Sequence, residues 1–159
     1  MMHQMTEQPV GGRPRSGDRI DYAWFRTMAT RWGDNDIYGH VNNVVYYAFF
    51  DTAVNAMLIE RGLLDPDTGP VIGLVVETGC SYAAPLSFPD DVTAGVRVAR
   101  IGTSSVRYEI ALFARDEDRA AATGYFVHVH VDRTTRRPVP VPADMRAFLE
   151  TLVVRGVTS

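Results

Sequence analysis

The chain has 159 residues, a formal net charge of -3 and 46% hydrophobic residues, which suits one compact domain and leaves no room for a second. A chain of this size buries roughly 68–70% of its unfolded surface, enough for a core that needs no staple. Weak acidity without any block of like charges argues against nucleic acid or an anionic membrane as the main partner.

Cys80 is the single cysteine. It excludes an internal disulfide and a thiolate-rich zinc site, and it points to a reducing compartment, hence an expected cytoplasmic location. The apolar stretches fall short of the ~18 residues that a transmembrane helix needs. Residues 1–20 are rich in Gly, Pro, Arg and polar residues and lack the apolar segment of a secretory signal. They read as a disordered tail before a domain over 21–156. All basic residues other than histidine are arginine, a compositional bias to which no mechanism attaches.

In chain order, residues 22–31 alternate loosely and carry aromatics, which predicts a strand. The segment WGDNDIYGHVNN that follows is a turn-rich loop. Residues 43–61 run too long without interruption for a strand and predict a helix, with Asn42 or Asn43 placed to cap it and Gly62 to stop it. Val44, Val45, Tyr46, Tyr47, Phe49, Phe50, Ala53, Val54, Met57 and Leu58 cannot share one stripe, so this helix should be surrounded by protein. Strands are expected over 71–82, 91–101, 105–115 and 120–132, separated by the turn clusters APLSFPD, GTS and DEDR, in a mostly antiparallel meander. The prolines of RRPVPVP cannot serve a central strand and make that segment a connector. It leads into a short helix in ADMRAFLETLVV with Met145, Phe148, Leu149 and Leu152 inward. A lone apolar helix among strands needs a concave sheet to wrap it.

The residues Asp34-x-Asp36-x-x-Gly39-His40-Val41-Asn42-Asn43-x-x-Tyr46 resemble the signature of hotdog-fold acyl-CoA thioesterases of the 4-hydroxybenzoyl-CoA thioesterase type. The resemblance runs from about Phe25 to Leu152. It implies an α+β hotdog fold, an antiparallel sheet wrapped around one long central helix, with two subunits pairing to continue the sheet. The stretch from Arg100 through Gly102, Thr103, Ser104 and Ser105 to Tyr108 looks like the family's strand-turn-strand near the CoA moiety. Pro138 to Pro142 followed by a helix looks like its usual ending.

Thioester hydrolysis needs a carboxylate that attacks the carbonyl or takes a proton from water. The resemblance implies that role for Asp36, while the plain alternative is an Asx-type turn, the use expected of Asp34. Charge developing on the carbonyl oxygen calls for a donor, and a helix N-terminus offers unpaired amides. By position the amide of Asn43 comes first and that of Asn42 next, and the family's donor matches Asn43. Some members carry histidine there, so a histidine base is not assumed at residue 43. His40 is a candidate to orient water or the thioester, histidine being the side chain suited to proton transfer near neutrality, or else it fixes the loop. Gly39 permits a backbone angle that other residues resist. Tyr46 and its aromatic neighbours border the acyl pocket or simply belong to the core. Asp51, on the apolar helix, is a reserve acid, and Glu77 a weaker one. Gly102, Thr103, Ser104 and Ser105, with Arg100 and Arg107, are candidate donors to the CoA phosphates, or an ordinary hairpin turn.

His128-x-His130-x-Asp132 shares one strand face but lacks further ligands for zinc. Val127, Val129 and Val131 are expected to face the core and the histidines solvent or an interface. No metal and no cofactor are expected. The reading is an acyl-CoA thioesterase that forms a homodimer or homotetramer with its sites at the subunit boundary, since sheet edges favour pairing. The rivals are a hotdog enoyl-thioester hydratase or dehydratase, and a non-catalytic module that binds acyl-CoA or acyl-carrier protein.

Overall fold

The computed structural model describes residues 17–154. Five strands form one antiparallel sheet: β1 (Trp24–Met28), β2 (Val71–Tyr82), β3 (Val92–Ile101), β4 (Ser105–Ala114) and β5 (Ala122–Asp132), in the spatial order β1-β3-β4-β5-β2. The meander holds for β3, β4 and β5, whose turns are short. β2 departs from it and lies on the far side of β5, which leaves β1 to pair with β3.

The long helix α1 (Val45–Glu60) lies on the concave face and α2 (Ala143–Glu150) follows β5. Tyr46, Phe49, Phe50, Ala53, Val54, Met57 and Leu58 of α1 are buried. They meet Val92, Ala94, Val96 and Val98 of β3 and Val106, Tyr108, Ile110 and Leu112 of β4 in one core, because alternate residues of a strand share a face. Phe50 sits directly over Gly124: a Cβ there would stand 2.4 Å from the Phe50 ring and 2.6 Å from the Gly79 carbonyl oxygen. Met145, Leu149 and Leu152 close the other end of the core as expected, and Phe148 is half-buried under the Arg61 guanidinium.

Two expectations change. Residues 17–20, read as tail, pack on the molecule: Asp18 bridges Arg119, and Arg19 donates to the carbonyls of Glu117 (2.7 Å) and Arg115 (2.6 Å) while covering the Phe113 ring. Residues 1–16, the rest of that segment, lie outside the described residues, as do 155–156 at the other end. On β5 the faces are reversed. His128 and His130 are 3% and 2% exposed, whereas Val127 and Val129 are only half-buried on the convex face; of the three valines Val131 alone is buried as expected. Hydrophobicity picks the valines for the core, but the strand's register also carries Ala122, Gly124 and Phe126 under α1, and the histidines share their parity. β2 is an edge strand whose Leu74, Val75 and Val76 are exposed, with a bulge between Val75 and Glu77. Among the described residues no helix is long and apolar enough to cross a membrane.

Candidate active site

Between β1 and α1 the chain folds back on itself. A short 3-10 turn, Trp32–Asp34, is held by the Asp34 carboxylate, which is 2% exposed and accepts from the Arg31 amide (2.7 Å) and from its guanidinium (3.0 and 3.2 Å). Asn35 then bridges Val41, and the Asn42 amide donates to the Asp34 carbonyl (2.8 Å), so residues 34–36 run beside 40–42 as a tight hairpin. The hairpin is tied to the segment before β3. Val41 donates to the Leu86 carbonyl (2.7 Å), Phe88 to the Asn35 side chain (3.1 Å) and Ser87 to the Gly39 carbonyl (3.2 Å). Gly39 turns the tip with a φ of +80°, a conformation open to glycine and costly for most residues.

Asp36 stands at this tip. Its amide donates to the His40 carbonyl (3.0 Å), and its Oδ1 accepts from the Tyr38 amide (2.9 Å). That is an Asx turn, and it leaves Oδ2 without a partner among the described residues. The turn role and a chemical role therefore coexist in one half-exposed side chain. His40 is exposed, and so are Ile37 and Tyr38 beside it.

At the start of α1 the two asparagines divide the work. Asn42 accepts the Val44 amide on Oδ1 (3.1 Å) and the Val45 amide on its carbonyl (2.9 Å). Asn43 is exposed, its carbonyl receives the Tyr82 hydroxyl (2.8 Å), and its own amide donates to no described group. A free amide at the positive end of a helix is what a developing oxyanion requires. Tyr46 is core: it is 3% exposed, edge-on to Tyr82 at 4.8 Å, and burial raises its pKa.

From this helix start a groove of about 300 Å3 runs between α1 and β2, lined by Tyr47, Ala48, Asp51, Val75, Thr78 and Phe126. Sequence reasoning placed Asp51 and the aromatics but missed Thr78, Val75 and Phe126, because only the position of β2 beside β5 brings them under the helix. Asp51 is exposed at the groove wall and accepts from Asn55 (2.9 Å). A larger hollow, lined by Asp18, Arg19, Ile20, Asp118 and Arg119, lies at the packed N-terminal segment and holds none of the motif. Glu77 accepts from the Tyr125 hydroxyl (2.9 Å), which itself lies under Arg107.

Gly102, Thr103, Ser104 and Ser105 are elsewhere. Met28 pairs with Val92, so the hairpin leaves the sheet beside the start of β3, whereas the turn follows the end of β3, about 30 Å of strand away. Their backbone is also engaged: the Gly102 and Thr103 carbonyls receive Arg146 (2.6 and 3.3 Å), and the Ser104 carbonyl receives the His130 amide (2.7 Å) with the His130 ring nitrogen 3.1 Å away. Within one chain this turn and Asp36 share no site. Among the described residues no cluster of His, Cys, Asp or Glu is arranged to hold a metal ion.

The thioesterase-like superfamily profile matches residues 30–149, and the chain belongs to that family. Among solved structures, the PA5185 protein of Pseudomonas aeruginosa is 55% identical over 88% of this chain and 98% of its own, with a TM-score of 0.86. The PA2801 protein of the same organism, a thioesterase candidate, is 29% identical over 79% of this chain and 96% of its own, with a TM-score of 0.74. The gentisyl-coenzyme A thioesterase BH1999 shares the fold at 24% identity, covering 79% of this chain and 99% of its own, with a TM-score of 0.69. No curated protein matches the chain.

Proposed function

We propose that the protein hydrolyses acyl-CoA thioesters to the free acid and CoA, with Asp36 as nucleophile or general base and the Asn43 amide as oxyanion donor. The observation that carries this reading is a carboxylate oxygen left open at a pinned hairpin tip, in the same family-matched segment as an undonated helix amide. As nucleophile, Asp36 attacks the carbonyl carbon, CoA leaves as thiolate, and water opens the resulting mixed anhydride. As base, Asp36 takes the proton of a water whose oxygen attacks, the CoA thiolate leaves, and the proton goes to the departing sulfur. In both routes negative charge on the carbonyl oxygen is met by the Asn43 N–H, and His40 and Gly39 shape the tip around it. Gly39, Asn42 and Tyr46 act by holding the hairpin and the helix start, and the acyl chain leaves along the groove beside Tyr47.

The working unit in this reading is a homodimer, or a pair of such dimers. The exposed apolar edge of β2 supports it, since an unpaired edge of Leu74, Val75 and Val76 invites a partner strand. Antiparallel pairing of β2 with its two-fold copy sets the residue-82 end of one strand beside the residue-71 end of the other. A second copy then brings its own 102–105 turn to the end of the sheet that carries Asp36. The CoA contacts expected of Gly102, Thr103, Ser104 and Ser105 would therefore come from the partner, through side chains and the Thr103 and Ser105 amides. The test is thiol release from short, medium, long and aromatic acyl-CoA substrates by wild type and Asp36→Asn. Turnover that collapses in the variant supports the assignment. Equal turnover moves the chemistry to Asp51, and none in wild type leaves a binding module.

A further inference from the structure

Among the described residues, two polar atoms in the core have no hydrogen-bond partner: the Tyr108 hydroxyl and His128 Nε2. They belong to neighbouring rings, with centroids 5.3 Å apart and planes at 67°. Tyr108 is fully buried and His128 is 3% exposed. A buried donor or acceptor left unpaired is destabilising against a partnered or apolar side chain, and phenylalanine at either position would remove that penalty. His130, two residues on, shows the ordinary solution: its ring is satisfied by the Ser104 carbonyl.

The orphans lie next to the groove. Phe126, on its floor, stacks nearly parallel on His128 (5.7 Å, 24°), and Val75, on its wall, is the cross-strand partner of His128. Gly73, exposed and without a side chain, lets the strand backbone pack close to the His128 ring on its Nδ1 side; a Cβ there would stand 3.2 Å from Nδ1. The groove begins at Tyr47 and Ala48, in the first turn of α1. From Tyr82, whose hydroxyl reaches Asn43, to Val75 the strand covers about 20 Å.

We propose, resting on the thioesterase reading above, that the groove takes a long acyl chain and that Tyr108 and His128 recognise an uncharged oxygen, a hydroxyl or a carbonyl, near its far end. A neutral imidazole has one donor and one acceptor and a phenol has both, so the pair is matched to a hydroxyl in either orientation. A charged end group is disfavoured because the site offers no counter-charge and little water. Burial acts in the same direction on the pair itself, holding His128 neutral down to about pH 4 and the Tyr108 phenol protonated. The oxygen is distal: a substituent next to the thioester would sit at the helix start, a strand's length away.

The experiment compares lauroyl-CoA, ω-hydroxylauroyl-CoA and β-hydroxylauroyl-CoA with wild type, Tyr108→Phe, His128→Phe and Gly73→Ala. Wild type is expected to favour the ω-hydroxy chain over the plain one about tenfold in kcat/KM, the equivalent of one hydrogen bond, with no gain for the β-hydroxy chain. Tyr108→Phe and His128→Phe, which keep the ring stack, should bring the ratio to one or below, and Gly73→Ala should lower it by pressing a methyl group on the His128 ring. A wild-type ratio of one, or a preference that survives Tyr108→Phe, overturns the proposal and leaves the pair to an interior water. If no acyl-CoA releases thiol, the thioesterase reading fails by itself. Calorimetric binding of ω-hydroxylaurate against laurate then tests the pair, with the same ratios expected and a ratio of one overturning it.

Discussion

At the end of the sheet that carries residues 31–44, side chains do the holding and a backbone amide is left over. Asp34, Asn35, Asn42 and Ser87 each bind main-chain groups of the hairpin or its neighbours, and the Asn43 N–H remains free. At the other end the relation is inverted, since Arg146, His130 and Val141 bind the carbonyls of residues 102–104 and fix that turn to α2 and β5. Both segments are rich in small polar residues and both read as ligand loops in sequence. The difference lies in which groups are spent: the hairpin leaves a backbone donor over, whereas residues 102–104 tie their carbonyls to the rest of the fold.

The sharpest way to break this comparison is at Asp36. Asp36→Asn is expected to lower turnover on the best acyl-CoA by about 10²–10⁴, the range for a lost acid-base group, while the thermal melt stays in place. A melt shifted as far as the rate would make the hairpin tip a structural joint as well.

Acid tests the buried histidines on the inner face. Burial, aided by the nearby His130, lowers the His128 pKa to about 4, and burial lowers that of His130 too. Above about pH 6.5 both states are neutral and nothing is lost. As pH falls from 6.5 towards 4 the unfolded chain gains a proton that the folded chain refuses, so stability falls through that window and levels off below it. The His128 contribution is about 3 kcal/mol. Urea melts at pH 7.5 and pH 4.5 on wild type and His128→Gln measure it, and an equal loss in both would place the acid sensitivity elsewhere.

Next come the anchors of each end. Asp34→Ala should destabilise by about 1–3 kcal/mol, because it orphans the Arg31 amide, and should reduce activity by loosening the hairpin. Arg146→Ala should cost about 1–2 kcal/mol in a chemical melt with activity per folded chain largely kept. The smallest effect is expected from His40→Ala: stability within about 0.5 kcal/mol, as for an exposed side chain. A tenfold or greater fall in its turnover would assign His40 to proton transfer.

Much of this was legible in the sequence because the signals were local. The helix expected over 43–61 spans Val45–Glu60, and β2 has the expected bounds, since Gly62 and the flanking turn clusters mark them. The turn role of Asp34 followed from local chemistry, whereas the cap expected of Asn42 or Asn43 did not: the N-cap is Val44 without a side-chain cap bond, and Asn42 forms a turn ahead of it. What stayed hidden was long-range. Which side of β5 faces α1 depends on Gly124 and Phe126 meeting the helix, and alternating His and Val give no decisive pattern when both faces are partly covered. The strand order that exposes β2 and separates residues 102–105 from Asp36 is a property of pairing across the whole sheet.

Gly124 shows how tightly that pairing ties the sheet to the helix. With the Phe50 ring and the Gly79 carbonyl both inside 3 Å of where a Cβ would be, even alanine must push α1 outward, at about 1–3 kcal/mol for overpacking. The same push would move the helix start, and Asn43 with it. A residue with no side chain thus couples the packing of the core to the position of the candidate site.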